Sequence, residues 1–114
     1  MVIIGLDPYQ VEGAAMGLAF SHHIGRGKLQ PSLRNIYKEL ENDAFRVNYN
    51  SGDLTSWAQQ GVFLINTALT VKEGKSSSYT KEWKNFHLTF FEYISKNCDH
   101  IVVICWGSQQ NLFK

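Results

Sequence analysis

Apolar residues fall along the chain in two patterns, short unbroken runs and stripes at helical spacing. The runs are rich in β-branched residues and occupy positions 2–4, 62–65 and 101–105. Such runs are typical of strands that are buried on both faces of a parallel sheet. The sequence therefore predicts three core strands.

The stripes predict helices between these strands. One stripe predicts a helix that begins at Pro31 or Ser32 and ends near Asn42, and a second predicts a helix across residues 83–94. A short helix is expected between residues 53 and 61. Helices that alternate with apolar strands indicate an α/β fold, with three α/β/α layers around a central parallel sheet. The first stripe consists of Leu33, Ile36, Tyr37 and Leu40.

The length of 114 residues suits one small domain, and the composition, 44% hydrophobic and 18% charged, is that of a folded globular chain. The chain begins within a core strand and ends just after a predicted helix start at residue 109. We therefore expect a single, incomplete domain over residues 1–114, belonging to a truncated protein.

Charge and cysteine content say little about partners. The net charge is +1, and no run of Lys and Arg indicates a basic surface. No signal peptide or segment of transmembrane length is visible, so we expect a cytoplasmic or nuclear protein. Cys98 and Cys105 are expected to be reduced, buried thiols.

Polar side chains follow the first two predicted strands. Asp7 lies on a loop stiffened by Pro8, with Tyr9 beyond it, and Asn66 directly follows the second strand. Open parallel sheets place ligand sites at this carboxyl edge. The alternatives are a turn aspartate and a loop asparagine that bond nearby backbone, and the sequence leaves them open.

Four further residues have both a chemical and a structural interpretation. Gly107 and Ser108 follow the third strand, where backbone N–H groups suit a phosphate, although the motif is short. Phe20 and His87 are each expected in the core, because both fall among apolar residues. No metal-ligand spacing is visible, and we expect no metal and no cofactor.

Taken together and in order, these motifs resemble the ubiquitous uracil-DNA glycosylase family. Residues 5–10 (GLDPYQ) resemble its water-activating loop, usually GQDPYH, and residues 17–21 resemble its GLAFS segment. Residues 31–40 are similar to the proline-rich loop and following helix, and residues 64–71 to the uracil-reading strand. Residues 104–108 resemble the Gly-Ser phosphate loop, so the resemblance covers nearly the whole chain.

The resemblance implies hydrolysis of the bond between uracil and deoxyribose in DNA, after the base has left the stack. By this match, Asp7 stabilises the sugar cation and orients the attacking water. Tyr9 excludes the methyl group of thymine, and Phe20 stacks on the flipped base. Asn66 bonds the uracil carbonyl and ring N–H, and the backbone N–H groups of Leu6 and Asp7 hold the other carbonyl.

The resemblance also implies contacts with DNA phosphates. Its partners would be uracil-containing DNA, single- or double-stranded, and a uracil-DNA glycosylase inhibitor protein, with the enzyme acting as a monomer and without membrane contact. The phosphate-binding residues implied by the match are Gln10, Pro31, Ser32, Gly107 and Ser108.

The sequence departs from the family pattern in three places. Leu6 replaces a glutamine, and Gln10 replaces a histidine, so position 10 can donate a hydrogen bond but carries no charge. Nothing after Ser108 matches the family's HPSPLS segment, whose histidine stabilises the departing uracil. A glycosylase-like remnant that binds DNA or protein without turnover is therefore the alternative function. A nucleotide-binding protein lacks support, because no Gly-rich fingerprint follows a strand. The histidines, none in a matching motif, are His22, His23, His87 and His100.

Overall fold

The structure is a computed structural model, and it describes residues 1–23 and 29–107. The predicted helix that opens at Gln109 lies outside these residues. The other predicted elements are all present within three residues of their expected bounds. In chain order they are β1 (Val2–Gly5), α1 (Pro31–Asn42), α2 (Thr55–Gln59), β2 (Phe63–Asn66), α3 (Thr80–Asn97) and β3 (Val103–Cys105).

The strands form a parallel sheet in the order β2-β1-β3. The register places Ile4 opposite Ile65 on one side and Cys105 on the other, and it places Gly5 opposite Asn66. Because all strands point the same way, the segments that leave them emerge at one edge of the sheet.

Helices cover both faces of the sheet, as the sequence predicts. Alternate residues of β1 point to opposite faces. Ile3 packs with residues from α1 on one face, whereas Val2 and Ile4 pack with Phe91 of α3 on the other. The three-layer α/β/α fold is therefore confirmed. The buried residues clustered with Ile3 are Ala19, Leu33, Tyr37, Leu54 and Leu64.

Three predictions of burial are wrong. β1 is buried throughout, but Phe63 of β2 and Val103 of β3 are exposed. Within the described residues, β2 and β3 are edge strands that pair on one side only, so less of their surface is covered. Cys98 is also exposed, whereas Cys105 is half-buried, and both thiols are free.

Residues beside the helices account for where α1 and α2 begin and end. Pro31 is the first residue of α1, in agreement with its fixed φ angle. Asp53 lies two positions before Thr55, the first residue of α2. Its Oδ1 accepts the N–H of Thr55 at 2.8 Å. Gly61, with φ +94°, ends that helix. No helix in the described part of the chain is long and apolar enough to cross a membrane.

Candidate functional site

A cleft of about 840 Å³ lies at the carboxyl edge of the sheet. Its walls come from the segments after β1 and β2, from the GLAFS segment and from the start of α1. Parallel pairing and the Gly5–Asn66 register bring the first two walls together. The predicted site residues that line the cleft are Leu6, Asp7, Tyr9, Gln10, Phe20, Pro31, Ser32 and Asn66.

The end of β3 reaches this region through an aromatic contact. The Trp106 ring lies 5.6 Å from the Phe20 ring at an interplanar angle of 64°. Gly107, which the sequence assigns to phosphate binding, is not among the residues that line the cleft. Its φ angle of +61° marks the turn after Trp106. Ser108 lies outside the described residues.

Backbone bonds hold the loop after β1 against the segment after β2. The N–H of Thr67 donates to the carbonyl of Gly5 at 2.9 Å, and its hydroxyl donates to the carbonyl of Leu6 at 2.7 Å. Leu6 and Thr67 are the neighbours of Asp7 and Asn66 in sequence. These bonds therefore hold the backbone before Asp7 beside the backbone after Asn66.

Gly5 allows two of the predicted site residues to approach the strand closely. A Cβ atom at position 5 would collide with Asn66 Oδ1 and would lie 3.4 Å from Phe20 Cε2. The Asn66 amide and the Phe20 ring thus share the space above Gly5. The sequence places this glycine at the start of the water-activating segment and gives it no role of its own.

Tyr9 is fixed by its hydroxyl group. The hydroxyl donates to the carbonyl of Phe20 at 2.5 Å and lies 3.3 Å from Ser32 Oγ. Burial raises the pKa of Tyr9 above its ordinary value, while the bond to Ser32 opposes this shift. The phenol therefore keeps its proton and its bonds across the physiological range.

Phe20 has a backbone conformation that is rare for an aromatic residue. Its φ angle is +65°, in the left-handed region, which surrounding structure must enforce. Its neighbours are held on both sides. The N–H of Ala19 donates to the carbonyl of Leu64 at 3.2 Å, and Ser21 Oγ accepts the N–H of Leu54 at 2.8 Å. The GLAFS segment is thus attached to β2 and to the residue before α2.

His22 lies behind Tyr9, in the interior of the protein. Its side chain is buried, and its ring lies 6.1 Å from the Tyr9 ring in an edge-to-face arrangement. Within the described residues, its Nε2 atom has no hydrogen-bond partner. His22 therefore packs behind the phenol but does not line the cleft.

Asp7 is bound from a distant part of the chain. Its Oδ2 accepts the backbone N–H of Ser77 at 2.6 Å, across a separation of 70 residues. The half-buried carboxylate lines the cleft, so this bond does not match the alternative prediction of a turn aspartate bonded to its own backbone.

His87, which the sequence predicts in the core, lies away from the cleft. His87 of α3 is buried, 4.6 Å from the Phe91 ring, and burial lowers its pKa. In the residues that the structure describes, no three side chains of His, Cys, Asp or Glu form a group that could hold a metal ion.

Comparison with protein families decides how this geometry is interpreted. A family model described as the Uracil DNA glycosylase superfamily matches residues 1–112. The chain belongs to this superfamily. The resemblance found in the motifs is therefore confirmed over almost the whole sequence.

Curated relatives in the superfamily include proteins named uracil-DNA glycosylase. The protein from Borreliella burgdorferi is 49% identical over 109 residues, which cover 95% of this chain and 48% of that protein. The protein from Mycoplasmopsis pulmonis is 46% identical over 110 residues, which cover 49% of that protein. The chain thus spans about half the length of the curated relatives it matches.

Solved structures of the superfamily agree with the fold. The crystal structure of mimivirus uracil-DNA glycosylase superimposes with a TM-score of 0.88 at 33% identity, covering 97% of this chain and 42% of that one. A variant of the mimivirus protein in complex with UGI gives the same TM-score.

Three residues at the cleft of this superfamily member are absent from the sequence predictions. They are Gly5, which makes room for Asn66, Thr67, which anchors the loop before Asp7, and Ser77, which binds Asp7. Thr67 directly follows the predicted site residue Asn66, and this position in the sequence is a signal that could have been used. In the structure Thr67 is buried. Nothing local marks Ser77 out from the serines beside it.

Proposed function

We propose that this chain carries the uracil-binding and water-activating part of a uracil-DNA glycosylase. The reaction is hydrolysis of the N-glycosidic bond of flipped-out deoxyuridine in DNA, which releases uracil and leaves an abasic site in base excision repair. The observation that carries the proposal is that Asp7, Tyr9, Phe20 and Asn66 line one cleft. An acid, a phenol, an aromatic ring and an amide are what this reaction requires.

Asn66, Phe20 and Tyr9 would recognise uracil. The Asn66 side chain both donates and accepts, so it pairs with a uracil carbonyl and ring N–H, whereas cytosine presents a different pattern. The Phe20 ring lies close to this amide above Gly5, where it stacks on the base. The phenol of Tyr9, held through the Phe20 carbonyl, stands against a 5-methyl group.

Bond cleavage falls to Asp7. As the glycosidic bond breaks, positive charge develops on the sugar and negative charge on uracil. A carboxylate held at the cleft favours that positive charge and orients a water for attack on the sugar. Leu6 and Asp7 both line the cleft, and their backbone N–H groups would bind the second uracil carbonyl. No cofactor or metal is required for this reaction.

The DNA backbone would lie along the rim of the cleft. Gln10, Pro31 and Ser32 line it and are exposed or half-exposed, so they are accessible to phosphates. Gly107 and Ser108 stay in the proposal as a second phosphate contact. Single- or double-stranded DNA containing uracil is the proposed partner, bound by a monomer.

An inhibitor protein is a further proposed partner. The mimivirus relative forms a complex with UGI, and the same cleft is available here. As a DNA-repair enzyme, the protein would act where the genome lies, in the cytoplasm or the nucleus.

The test is single-turnover release of uracil from single-stranded DNA, with Asp7→Asn as the matched variant. The asparagine keeps the size of the side chain and removes its charge. Loss of one electrostatic group at a reacting centre costs about 10²–10³ in rate. We expect the unmodified chain to release uracil faster by that factor. Equal rates for the two proteins would contradict the proposed reaction.

A second candidate function is a binding module without turnover. It is considered for these 114 residues taken by themselves, none of which forms an HPSPLS-like segment. It predicts preferential binding of uracil-containing DNA, lost in Asn66→Leu, with no release above the Asp7→Asn rate. Fluorescence anisotropy with matched oligonucleotides containing uracil or cytosine separates the two functions.

A further inference from the structure

We propose that Ser77 is a positioning residue for Asp7, and that residues 72–80, here called the serine loop, hold the carboxylate in its reactive orientation. The inference rests on the proposed function, because it assumes that Asp7 acts on the sugar. The bond that carries it joins the Ser77 N–H to Asp7 Oδ2 at 2.6 Å.

The serine loop is a closed, hydrogen-bonded turn. The N–H of Lys75 donates to the carbonyl of Lys72 at 3.0 Å, and the N–H of Lys72 donates to Ser78 Oγ at 2.7 Å. A further bond, from the N–H of Gly74 to the carbonyl of Gln10 at 3.3 Å, attaches the loop to the water-activating segment. The loop is thus attached at a second point to the segment that carries Asp7.

The backbone at Ser77 has a conformation that aims its N–H group. Its φ angle is +60°, in the left-handed region, which serine seldom adopts. Such conformations persist only where the surroundings enforce them, and they concentrate at functional sites. The hydroxyl of Thr80, at the start of α3, donates to the Ser77 carbonyl at 3.2 Å and holds the other side of this residue.

The chemistry of the bond suits a positioning role. A hydrogen bond from an N–H group to a carboxylate is short and directional. With Oδ2 held, the rotation of the carboxylate is fixed, and the direction of Oδ1 is fixed with it. A backbone amide has no proton to transfer at ordinary pH, so it orients the carboxylate without taking part in the reaction.

The neighbouring charges do not provide this restraint. Among the described residues that line the cleft, Tyr9 is the one titratable group besides Asp7. The serine loop itself carries Lys72, Glu73 and Lys75, all exposed. The two experiments below therefore change Asp7 or Ser77 and leave these charged side chains in place.

The first experiment measures the bond directly and needs no activity. Amide ¹H–¹⁵N spectra and amide hydrogen exchange are recorded for the unmodified chain and for Asp7→Ala, which removes the acceptor. We expect the Ser77 amide proton to lie downfield and to exchange slowly in the unmodified chain, and to lose both properties in Asp7→Ala. A Ser77 amide proton that is unchanged in Asp7→Ala would have another acceptor and would overturn the inference.

The second experiment measures turnover in the active protein. Ser77→Val places a β-branched residue at a positive φ angle, whereas Ser77→Gly keeps the N–H group and accepts this conformation. We expect kcat to fall by about 10²-fold in Ser77→Val with little change in KM, because misplacement of a reacting group costs about that factor. Ser77→Gly should recover at least tenfold of that loss.

A remote substitution provides the baseline. Ser95→Val introduces the same change on the exposed surface of α3. If Ser77→Val and Ser95→Val have the same kcat, the positioning role is wrong. If instead Asp7→Asn releases uracil at the unmodified rate, the proposed reaction fails, while the amide measurement still reports whether the bond forms.

Discussion

Asn66 Oδ1 occupies the space that a Cβ atom on Gly5 would need. The two residues are opposite each other in the register between β1 and β2, so strand pairing itself brings the amide over the glycine. The Phe20 ring lies at the edge of the same space. The absence of a side chain at position 5 therefore sets where the proposed uracil-reading amide can lie.

Gly5→Ala is expected to displace the Asn66 amide while leaving the sheet paired. Gly5 is outside the positive-φ region, so the change acts through the collision and not through backbone strain. We expect binding of uracil-containing DNA to weaken by at least about tenfold, the effect of losing one good hydrogen-bonding contact. Fluorescence anisotropy with uracil and cytosine oligonucleotides measures the loss of discrimination.

Gly61→Ala is the control for this substitution. At Gly61 the φ angle is +94° and nothing lies within 4 Å of an added Cβ, so the cost is backbone strain of about 1 kcal/mol, remote from the cleft. The control should lower the melting temperature but keep discrimination between uracil and cytosine. Equal discrimination in Gly5→Ala and Gly61→Ala would show that Asn66 does not read the base.

Tyr9 offers a matched pair of variants that separate its ring from its hydroxyl group. Tyr9→Phe removes the bond to the Phe20 carbonyl, with an expected cost of about 1 kcal/mol in the free energy of unfolding. The remaining ring should still exclude thymine. Tyr9→Ala removes the ring, and we expect the preference for uracil over thymine to fall by at least about tenfold, since one methyl group is worth 10–200-fold.

Single-turnover assays on oligonucleotides with one uracil or one thymine measure this ratio. A preference that stays unchanged in Tyr9→Ala would assign thymine exclusion to another group.

His87 is expected to make stability depend on pH. Burial lowers the pKa of His87 in the folded state, below its ordinary value of about 6.5 in the unfolded chain. The unfolded state therefore binds a proton more readily. The stability that neutral His87 contributes is fully present above about pH 6.5 and is lost as pH falls through the lowered pKa.

Urea unfolding at about pH 7.5 and about pH 5.5 tests this dependence, because the two values lie on either side of the ordinary histidine pKa. His87→Leu should reduce the difference in unfolding free energy between the two pH values. His100→Asn is the control, because His100 is exposed and asparagine tolerates its φ angle of +58°. An equal reduction in both variants would exclude His87 as the source.

His22 places an imidazole nitrogen, without a partner in the described parts of the chain, beside the Tyr9 ring. A buried polar atom without a partner costs about 1–3 kcal/mol, and replacement by an apolar group can remove this cost. We expect His22→Leu to raise the free energy of unfolding by about 1 kcal/mol. His22→Asn keeps a polar group there and should lower it, as thermal melting would show. A loss of stability in both variants would indicate that the nitrogen has a partner, such as a buried water.

The sequence by itself determined the elements and their order. β-Branched runs and helical stripes report local conformation and which residues share a face, and both depend on a few neighbouring residues. The strands, the helices and the parallel α/β/α arrangement could therefore be predicted. The short motifs also marked residues that line the cleft, because Asp7 and Asn66 lie at the ends of strands and Pro31 begins a helix, whereas the role of Phe20 came only from the family resemblance. The single domain over residues 1–114 stays a prediction.

The tertiary structure decided which residues meet and which are covered. The bond from Ser77 to Asp7 joins positions 70 residues apart, and no periodic pattern encodes such a pair. The burial of His22 and the exposure of Phe63 depend on the elements packed beside them, not on their own neighbours in sequence. Local patterns fix the conformation of a segment, whereas contact and burial arise only when separate segments pack together.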